Sequence, residues 1–469
     1  MTADAHRQHY NVTFALLSVA AVAYSLLQSL VAPALLTIQH DLHTTAAGAA
    51  WILTAYLLSA SVLTPIAGRL GDMFGKKHAL VVVLVILAVG TALAGIASSI
   101  GLMIIARVIQ GAGGAVFPLA FAIIRDEFPR ERIPHGIALI SAIMGIGGGL
   151  GIVLAGPIVA HFSYHWLFWF PLIGVVVATV GTVMSVPESP IRTPGRIDPL
   201  GGLLLAGWLV TLLVAVSEGS SWGWTSGRVF VLFDATLILV FAWIWAESRS
   251  KAPLVDMTMM RIRPVWMTNV AALVFGFAMF ASFVLVPELV ELPQSPGFGF
   301  GASVTKAGIF MLPSAAGMLL AGPVAGRLSG AVGSRLPLQI GGVVSCIAFV
   351  LLAAAHDHGW QIYLAMLIMG IGIGFAFGSM ANLIVESVPA HQTGVATGMN
   401  TIVRSIGGAI GSQVSASIIA STLSSSGAPS ETGFTIAFTI AAAALAVGVI
   451  VALQIPRERP AVVELARGA

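Results

Sequence analysis

Charge is scarce in this chain of 469 residues. Only 9% of its residues are Asp, Glu, Lys or Arg, against about a quarter in an ordinary soluble domain. Hydrophobic residues make up 57% of the chain, which is more than the interior of a water-soluble fold of this size can hold. No run of like charges is present, so a nucleic-acid-binding surface is excluded. The single cysteine, Cys346, excludes an internal disulfide framework and a cysteine-built metal site.

Sequence motifs of catalysis are also missing. The chain contains no His-Glu-x-x-His, no Gly-x-Ser-x-Gly within an α/β pattern and no nucleotide-binding P-loop, which argues against a metallopeptidase, an α/β-hydrolase and an ATP-driven pump. Three histidine pairs have spacings that could bind a metal but belong to no defined ligand set, so we interpret them as solvated loop residues: His40/His43, His161/His165 and His356/His358. We therefore expect no enzyme, no metal site and no cofactor.

Long apolar runs fill most of the sequence instead. Breaks at polar, proline-rich or charged positions divide it into fourteen segments, each long enough to cross the roughly 30 Å hydrocarbon core of a bilayer as a helix. The predicted spans are 14–36, 49–70, 79–98, 101–124, 136–159, 166–187, 199–217, 228–247, 266–288, 305–326, 337–355, 360–385, 394–420 and 432–454. The sequence therefore predicts an all-α polytopic membrane protein.

The distribution of positive residues predicts the orientation of these helices. With the N-terminus in the cytoplasm, the cytoplasmic side carries all of the 22 Lys and Arg except Arg107, Arg228, Lys306 and Arg404, that is 18 of 22. Positive residues are retained on that side of a membrane. The first apolar run lacks a small-residue cleavage site and is interpreted as a retained helix. We expect a multi-pass protein of a bacterial plasma membrane with both termini in the cytoplasm.

Two sequence segments repeat at nearly the same offset. The segment 65–77 recurs at 323–335, a shift of 258 residues, and 146–151 recurs at 406–411, a shift of 260. We infer two six-helix halves, 1–190 and 261–469, separated by an inserted two-helix segment, 191–260. Repeats of this kind form transporters with a substrate site between the halves at mid-membrane. A duplicated scaffold without transport is the alternative.

The first repeated segment combines glycines with opposite charges. Glycine permits tight turns and close helix approach, and a carboxylate among cations can form pairs that break and re-form between conformations. Asp72 would also suit the positive N-terminal end of a helix in the other half, such as the one that begins near Gly394. The segment resembles the signature loop of the major facilitator superfamily, and a solvated basic turn is the alternative. The predicted gating residues are Gly68, Asp72, Gly75, Lys76 and Lys77, with Gly326, Arg327 and Gly333 in the second copy.

Two further segments extend the resemblance. Residues 107–114 resemble the fourth-helix motif of the superfamily, whose arginine is tied to proton coupling; the alternative for Arg107 is a structural residue bonded to carbonyls of the first helix. The glycine-rich fifth helix, with Gly151, Gly156 and Pro157, is similar to the antiporter motif, although Ile152 replaces its usual proline. Small residues here allow close packing and a flexible bend.

Fourteen spanning helices and the segment 51–56 resemble the drug:proton antiporter branch of the superfamily. This resemblance covers nearly the whole chain and implies export of lipophilic or amphiphilic small molecules in exchange for protons. The first helix departs from the branch because Gln28 stands where an Asp is usual, and an amide does not titrate. A dedicated exporter or facilitator of one endogenous metabolite or lipid, not coupled to protons, is therefore the alternative.

Exchange against protons needs a titrating group. We predict Glu288 or Glu291, at the outer end of the seventh core helix, with Asp72 second; a polar helix end is the alternative for each. Aromatic and amide side chains beside apolar walls suit an amphiphilic substrate. Besides Arg107, the predicted cavity is lined by Tyr24, Gln28, Trp51, Tyr56, Gln110, Asn382, Asn400 and Arg404.

Two arginines without a central carboxylate favour neutral, monovalent or partly anionic compounds over a dication. We expect the protein to act as a monomer, with membrane lipids and its small-molecule substrate as partners and with no nucleic acid.

Overall fold

The structure, a computed structural model, describes residues 10–189, 198–250, 252–294, 298–423 and 429–456. Fourteen of its helices are long and apolar enough to cross a membrane, which confirms the predicted number. We label them in chain order: α1 (Tyr10–Ser29), α2 (Ala46–Phe74), α3 (Lys76–Gly95), α4 (Ile100–Glu127), α5 (Ile133–His161), α6 (Trp166–Ser185), α7 (Pro199–Trp222), α8 (Gly227–Arg249), α9 (Arg263–Glu291), α10 (Val304–Val332), α11 (Arg335–Ala354), α12 (Gly359–Ser387), α13 (Thr393–Ser421) and α14 (Glu431–Gln454).

Many of these helices begin at a small polar residue. Its side-chain oxygen accepts a hydrogen bond from a backbone N–H of the first turn, which would otherwise have no partner. At the start of α7, this hydrogen bond from Gly201 lowers the pKa of the Asp198 carboxyl. The capping residues are Thr45 for α2, Ser99 for α4, Asp198 for α7, Ser226 for α8, Ser303 for α10 and Ser430 for α14.

The first helix ends earlier than predicted. The apolar run suggested a span to residue 36, but α1 ends at Ser29, and after a turn a short helix covers Leu35–Asp41. Pro33 lies in this turn and has no N–H to donate to the preceding helical turn. Continuous hydrophobicity therefore did not reveal the break.

We predicted a loop of several residues between the second and third helices, and this prediction is wrong. Helix α2 continues to Phe74 and α3 starts at Lys76, so only Gly75 lies between them, with a φ of 114°. The same occurs in the second half, where Gly333 follows α10 with a φ of 86°. Glycine adopts this left-handed backbone without a steric penalty. The chain thus reverses over one or two residues, and the predicted gating residues belong to helix ends.

Contacts between helix ends define two ends of the bundle. Arg335 near the start of α11 donates to the carbonyl of Leu453 near the end of α14, and Arg132 before α5 donates to Tyr10 at the start of α1. We call this end, where α1 begins and α14 ends, the basic end, and we predict that it faces the cytoplasm. At the opposite end, Trp224 donates to Ser417.

Three groups of buried apolar side chains hold the helices together. The first lies mainly among α1–α6, the second among α9–α14. The third joins the two inserted helices, α7 and α8, to α13 and to residues of α2. We keep the division into residues 1–190, 191–260 and 261–469 as a proposal, in which the inserted pair packs beside the contact of α2 with α13.

The sequence repeat recurs in the packing of glycines. A Cβ added to Gly147 of α5 would lie 2.2 Å from Ser25 Cβ of α1, and one added to Gly407 of α13 would lie 1.9 Å from the Leu273 carbonyl oxygen of α9. Equivalent glycines of the two halves therefore bring equivalent helix pairs into close contact.

Candidate functional site

The end of α2 and the start of α13 touch through their backbones at the basic end. A Cβ on Gly68 would lie 2.6 Å from the carbonyl oxygen of Gly394, and a Cβ on Gly394 would lie 2.7 Å from that of Gly68. No real side chain fits such distances. Two glycines thus allow a helix of the first half to lie directly on a helix of the second.

Asp72 extends this contact with its carboxylate. Oδ1 accepts a hydrogen bond from the backbone N–H of Gly394 at 3.3 Å, and Oδ2 accepts one from Val395 at 3.1 Å. The side chain is fully buried. A negative charge at a helix N-terminus meets unpaired N–H donors and the positive end of the helix dipole. The contact that we expected near Gly394 is confirmed, and Asp72 binds backbone donors rather than a cation.

Lys76 forms its ion pair with a carboxylate outside the repeated segment. Its Nζ lies 2.5 Å from Oδ2 of Asp126 at the end of α4, and the two side chains are 0% and 1% exposed. Ser189 also donates to this carboxylate. A buried ion pair offsets its desolvation only with such additional hydrogen bonds. Lys77 is half-buried, and its backbone N–H donates to Glu188.

Arg125 forms a second link between the halves. Nη1 donates to Thr393 Oγ1 at 2.5 Å, and Nη2 donates to the Val388 carbonyl at 2.8 Å, so one guanidinium joins α4 to the connection between α12 and α13. Sequence analysis missed Arg125 and Asp126. Their adjacency at the end of a spanning helix, in a chain with 9% charged residues, was the available signal.

The second copy of the motif lies at the equivalent contact of α10 with α5. A Cβ on Gly326 would lie 2.7 Å from the Cα of His135, so the backbones again approach closely. Arg327 is exposed. Gly330 occupies the position equivalent to Asp72, and among the described residues no atom beyond the backbone of its own helix lies within 4 Å of its added Cβ. This contact therefore lacks the carboxylate of the first copy.

Helix α5 lies between α1 and α10. A Cβ on Gly151 would lie 1.9 Å from Ser29 Oγ of α1, whereas one on Gly156 would lie 2.9 Å from Thr305 Oγ1 of α10. Ser29 also donates to the carbonyl of Gly147 at 2.8 Å. Pro157 lies inside the helix. The predicted glycine-rich motif thus lies on two faces of α5. One face packs against α1 of the same half, and the other packs against α10 of the second half.

Arg107 joins three helices in the centre of the first half. Its Nε donates to the carbonyl of Ile52 in α2 at 3.1 Å, and Nη1 lies 2.8 Å from Gln110 Oε1 and 3.4 Å from the carbonyl of Leu27 in α1. The guanidinium carbon lies 4.1 Å from the ring centre of Tyr56. The carbonyl bonds of the structural alternative are therefore present, and the predicted role in proton coupling stays a prediction.

The helix of Arg107 changes geometry one residue beyond Gln110. Gln110 donates to Thr91 Oγ1 at 3.1 Å, and the next segment, Gly111–Ala115, is a 3₁₀ turn inside α4. Such a turn within a helix often marks a hinge. A Cβ on Gly113 would lie 2.8 Å from the ring of Tyr24, so the glycines here make room for that aromatic side chain.

Tyr24 of α1 and Arg404 of α13 interact electrostatically although they belong to different halves. Tyr24 lies within electrostatic range of both Arg107 and Arg404, and its ring centre is 6.4 Å from that of Tyr56. The guanidinium of Arg404 lies over the ring of Phe377 in α12, at 4.6 Å. We call Tyr24, Tyr56, Arg107, Phe377 and Arg404 the central cluster.

The structure places the other predicted residues at several locations. Gln28 and Trp51 are half-buried. Asn400 donates to Asn269 Oδ1 at 2.9 Å between α13 and α9, and Asn382 donates to the Pro134 carbonyl at 3.1 Å, at the basic end. Both asparagines therefore join helices, and neither of these two hydrogen bonds involves the central cluster. The last two turns of α9, at the end opposite the basic end, contain a half-buried Glu288 and an exposed Glu291.

Comparison with known proteins agrees with this architecture. The family profile described as Major Facilitator Superfamily matches residues 17–412. The chain belongs to the major facilitator superfamily. The tetracenomycin C resistance and export protein of Streptomyces glaucescens is 27% identical over 388 residues, which are 82% of this chain and 71% of that protein. The multidrug transporter protein MdtP of Bacillus subtilis is 27% identical over 351 residues, 74% of this chain and 64% of that protein.

Some other curated relatives are longer than this chain, which spans only 56% of their length. Among solved structures, the human organic anion transporter MFSD10 (TETRAN) superposes with a TM-score of 0.67 at 16% sequence identity, covering 95% of this chain and 99% of that chain. At this identity the likeness shows the fold alone. The chain is thus a multi-pass membrane protein of this superfamily.

Proposed function

We propose that this protein is a secondary active transporter that exports lipophilic or amphiphilic small molecules in exchange for protons. It works by alternating access, in a bacterial plasma membrane with the basic end and both termini on the cytoplasmic side. One contact between the halves carries the proposal. The Asp72 carboxylate of the first half accepts hydrogen bonds from the N-terminus of α13 in the second.

Alternating access requires a contact that holds one end closed and can also break. Hydrogen bonds to a charged group contribute about 1.5–3 kcal/mol each, which is enough to bias two conformations but not to make one permanent. Asp72 and Arg125 both link the halves at the basic end. In this conformation we interpret the basic end as closed, and a rocking motion of the halves would release both links.

The central cluster supports an amphiphilic substrate. Aromatic rings and a few polar groups between apolar walls accommodate lipophilic molecules with weak hydrogen-bonding demands. Two relatives are a tetracenomycin C resistance and export protein and a multidrug transporter protein, and their names support export of such compounds. We propose a multidrug-type range of substrates on these two grounds.

Proton coupling requires a group that takes up and releases a proton as access alternates. We assign it to Arg107 together with Glu288 or Glu291, with Asp72 as the second choice. One observation favours the alternative, an exporter or facilitator of a single metabolite or lipid without protons. Gln28 replaces the usual acid, and the groups in electrostatic range of Arg107 are Tyr56 and Tyr24 rather than a carboxylate.

The test is proton movement in liposomes that contain the purified protein and a pH-sensitive dye. Lipophilic cations, neutral compounds and amphiphilic anions are added in turn under an imposed pH gradient. We expect a compound-dependent collapse of the gradient that is lost in Arg107→Ala. Transport of a radiolabelled compound without any collapse would instead support the uncoupled alternative.

The same assay separates the two candidate acids. We expect Glu288→Gln or Glu291→Gln, but not both, to lose proton-linked transport while still binding the compound, because an amide cannot take up a proton at this pH. Asp234→Asn on α8, an exposed acid, is the matched control. Retained coupling in both glutamate variants would rule out these residues and turn attention to Asp72.

A further inference from the structure

Arg404 lies near the middle of the bundle. It follows the first residue of α13 by eleven positions, about 16 Å along the helix axis at ~1.5 Å per residue. The side chain is 8% exposed, and its guanidinium carbon stands 4.6 Å from the ring centre of Phe377. A charged side chain at this depth is costly unless it serves a bound partner or a cavity.

The two central arginines differ in how their donors are used. Arg107 donates to the carbonyls of Ile52 and Leu27 and to Gln110. For Arg404, among the described residues, the recorded contact is with the face of Phe377 and no hydrogen bond joins its guanidinium to another protein group. A guanidinium stacks through its face but donates through the five N–H groups on its edge. Within the described structure, the N–H groups of Arg404 therefore remain available for hydrogen bonding.

The charge of Arg404 is also unbalanced. The group in its electrostatic range is Tyr24 of the other half, with no carboxylate among the described residues. The acidic side chains that are buried in the described chain are bonded elsewhere. Asp72 binds α13 at the basic end, Asp126 pairs with Lys76, and Glu247 binds Trp243 and Val255 near the end of α8. An isolated buried cation is unfavourable until an anion pairs with it.

We propose that Arg404 binds the anionic group of the transported compound, and that the substrate class is an amphiphilic organic monoanion such as an aryl carboxylate or sulfonate. A planar guanidinium binds a carboxylate with two parallel hydrogen bonds. The apolar part of the compound packs against Tyr24, which belongs to the opposite half and lies within electrostatic range of Arg404. This inference rests on the proposed function and deepens it, because it names the charge of the exported compound.

The experiment measures equilibrium binding to the full chain in detergent, with three radiolabelled ligands that share one ring system. They are 1-naphthylacetate as the anion, 1-naphthylacetamide as the neutral form and 1-naphthylmethylammonium as the cation. The variants are Arg404→Gln, Arg404→Lys and Arg228→Gln. Arg228 is an exposed arginine beside Trp222 at the start of α8, so its substitution removes the same charge away from the central cluster.

We expect the unaltered chain and Arg228→Gln to bind the anion at least about 10-fold more tightly than the neutral ligand, and Arg404→Gln to lose about 10- to 100-fold in affinity for the anion alone. Arg404→Lys should recover part of this loss, which also shows that the site can fold with a substitution. Equal or tighter binding of the neutral or cationic ligand, an anion preference that survives in Arg404→Gln, or no binding of any of the three would overturn the proposal.

Binding is measured without a pH gradient, so its outcome does not depend on proton coupling. Anion binding at Arg404 without proton movement in liposomes would preserve this inference and overturn the antiport. Proton-linked transport of cations would overturn this inference and preserve the antiport.

Discussion

At the residue scale, few charges are buried and each is accommodated in its own way. Asp72 accepts from backbone N–H groups, Lys76 pairs with Asp126, Arg107 donates mainly to carbonyls, and Arg404 stacks on an aromatic ring. The energetic cost of a substitution should therefore depend on these partners more than on burial.

This difference predicts unequal stabilities for two arginine variants. Arg107→Gln leaves the carbonyls of Ile52 and Leu27 without their donor and should lower the free energy of unfolding by about 2–4 kcal/mol. Arg404→Gln breaks no hydrogen bond recorded in the described structure and should cost about 1 kcal/mol or less. Thermal melting in detergent measures both. A larger loss for Arg404→Gln would mean that its donors are used within the protein.

Sequence reasoning predicted one contact of the buried charged residues and missed others. The position of Asp72 near Gly394 followed from the attraction of a carboxylate to a helix N-terminus. The pairing of Lys76 with Asp126 did not, since they are fifty positions apart and nothing local in the sequence relates them. Asn382 was predicted to line the cavity as an amide beside apolar walls, yet its side chain donates to the Pro134 carbonyl at the basic end.

At the element scale, glycines on two faces of α5 decide how closely its neighbours approach. Gly147 and Gly151 face α1, whereas Gly149 faces Ala315 of α10. The glycine cluster was visible in the sequence. Its division into two faces required the three-dimensional positions of α1 and α10, which helical spacing alone does not supply.

Adjacent glycines of α5 provide a matched test. Gly147→Ala would place Cβ 2.2 Å from Ser25 Cβ, whereas a Cβ on Gly148 has no atom of the described chain within 4 Å apart from the backbone of its own helix. We expect Gly147→Ala to destabilise the protein by about 1–3 kcal/mol through overpacking. Gly148→Ala should leave the melting temperature unchanged or raise it, because alanine favours the helix. Equal effects of both would show that α1 does not pack against α5 as described.

Helix number and most boundaries could be predicted because a lipid-facing helix needs a long apolar run. The errors occurred where one residue changes the backbone without changing hydropathy. Pro33 ends the helical run early, and Gly75 reverses the chain where a longer loop was expected.

At the scale of the whole molecule, two similar halves meet through unequal contacts. The contact of α2 with α13 contains Asp72, but that of α10 with α5 has Gly330 at the equivalent position. The two copies therefore share a close backbone approach, but only the contact of α2 with α13 has the carboxylate link. We expect the closed basic end to depend chiefly on the Asp72 side.

The most direct test of alternating access is the distance between two spin labels at the basic end. Glu131 before α5 and Pro389 before α13 are exposed and belong to different halves. Both are changed to cysteine in a Cys346→Ser background, and pulsed electron resonance measures the distance distribution in liposomes. Asp72→Asn is compared with Asp234→Asn, which makes the same change at an exposed position of α8.

We predict a mainly short distance in the parent protein and in Asp234→Asn. In Asp72→Asn, the population with a longer distance should rise about 10-fold or more relative to the population with the shorter distance. The reason is that charge-assisted hydrogen bonds to α13 are lost. The same distribution in all three proteins would contradict the account, since the Asp72 contact would then not hold the basic end closed.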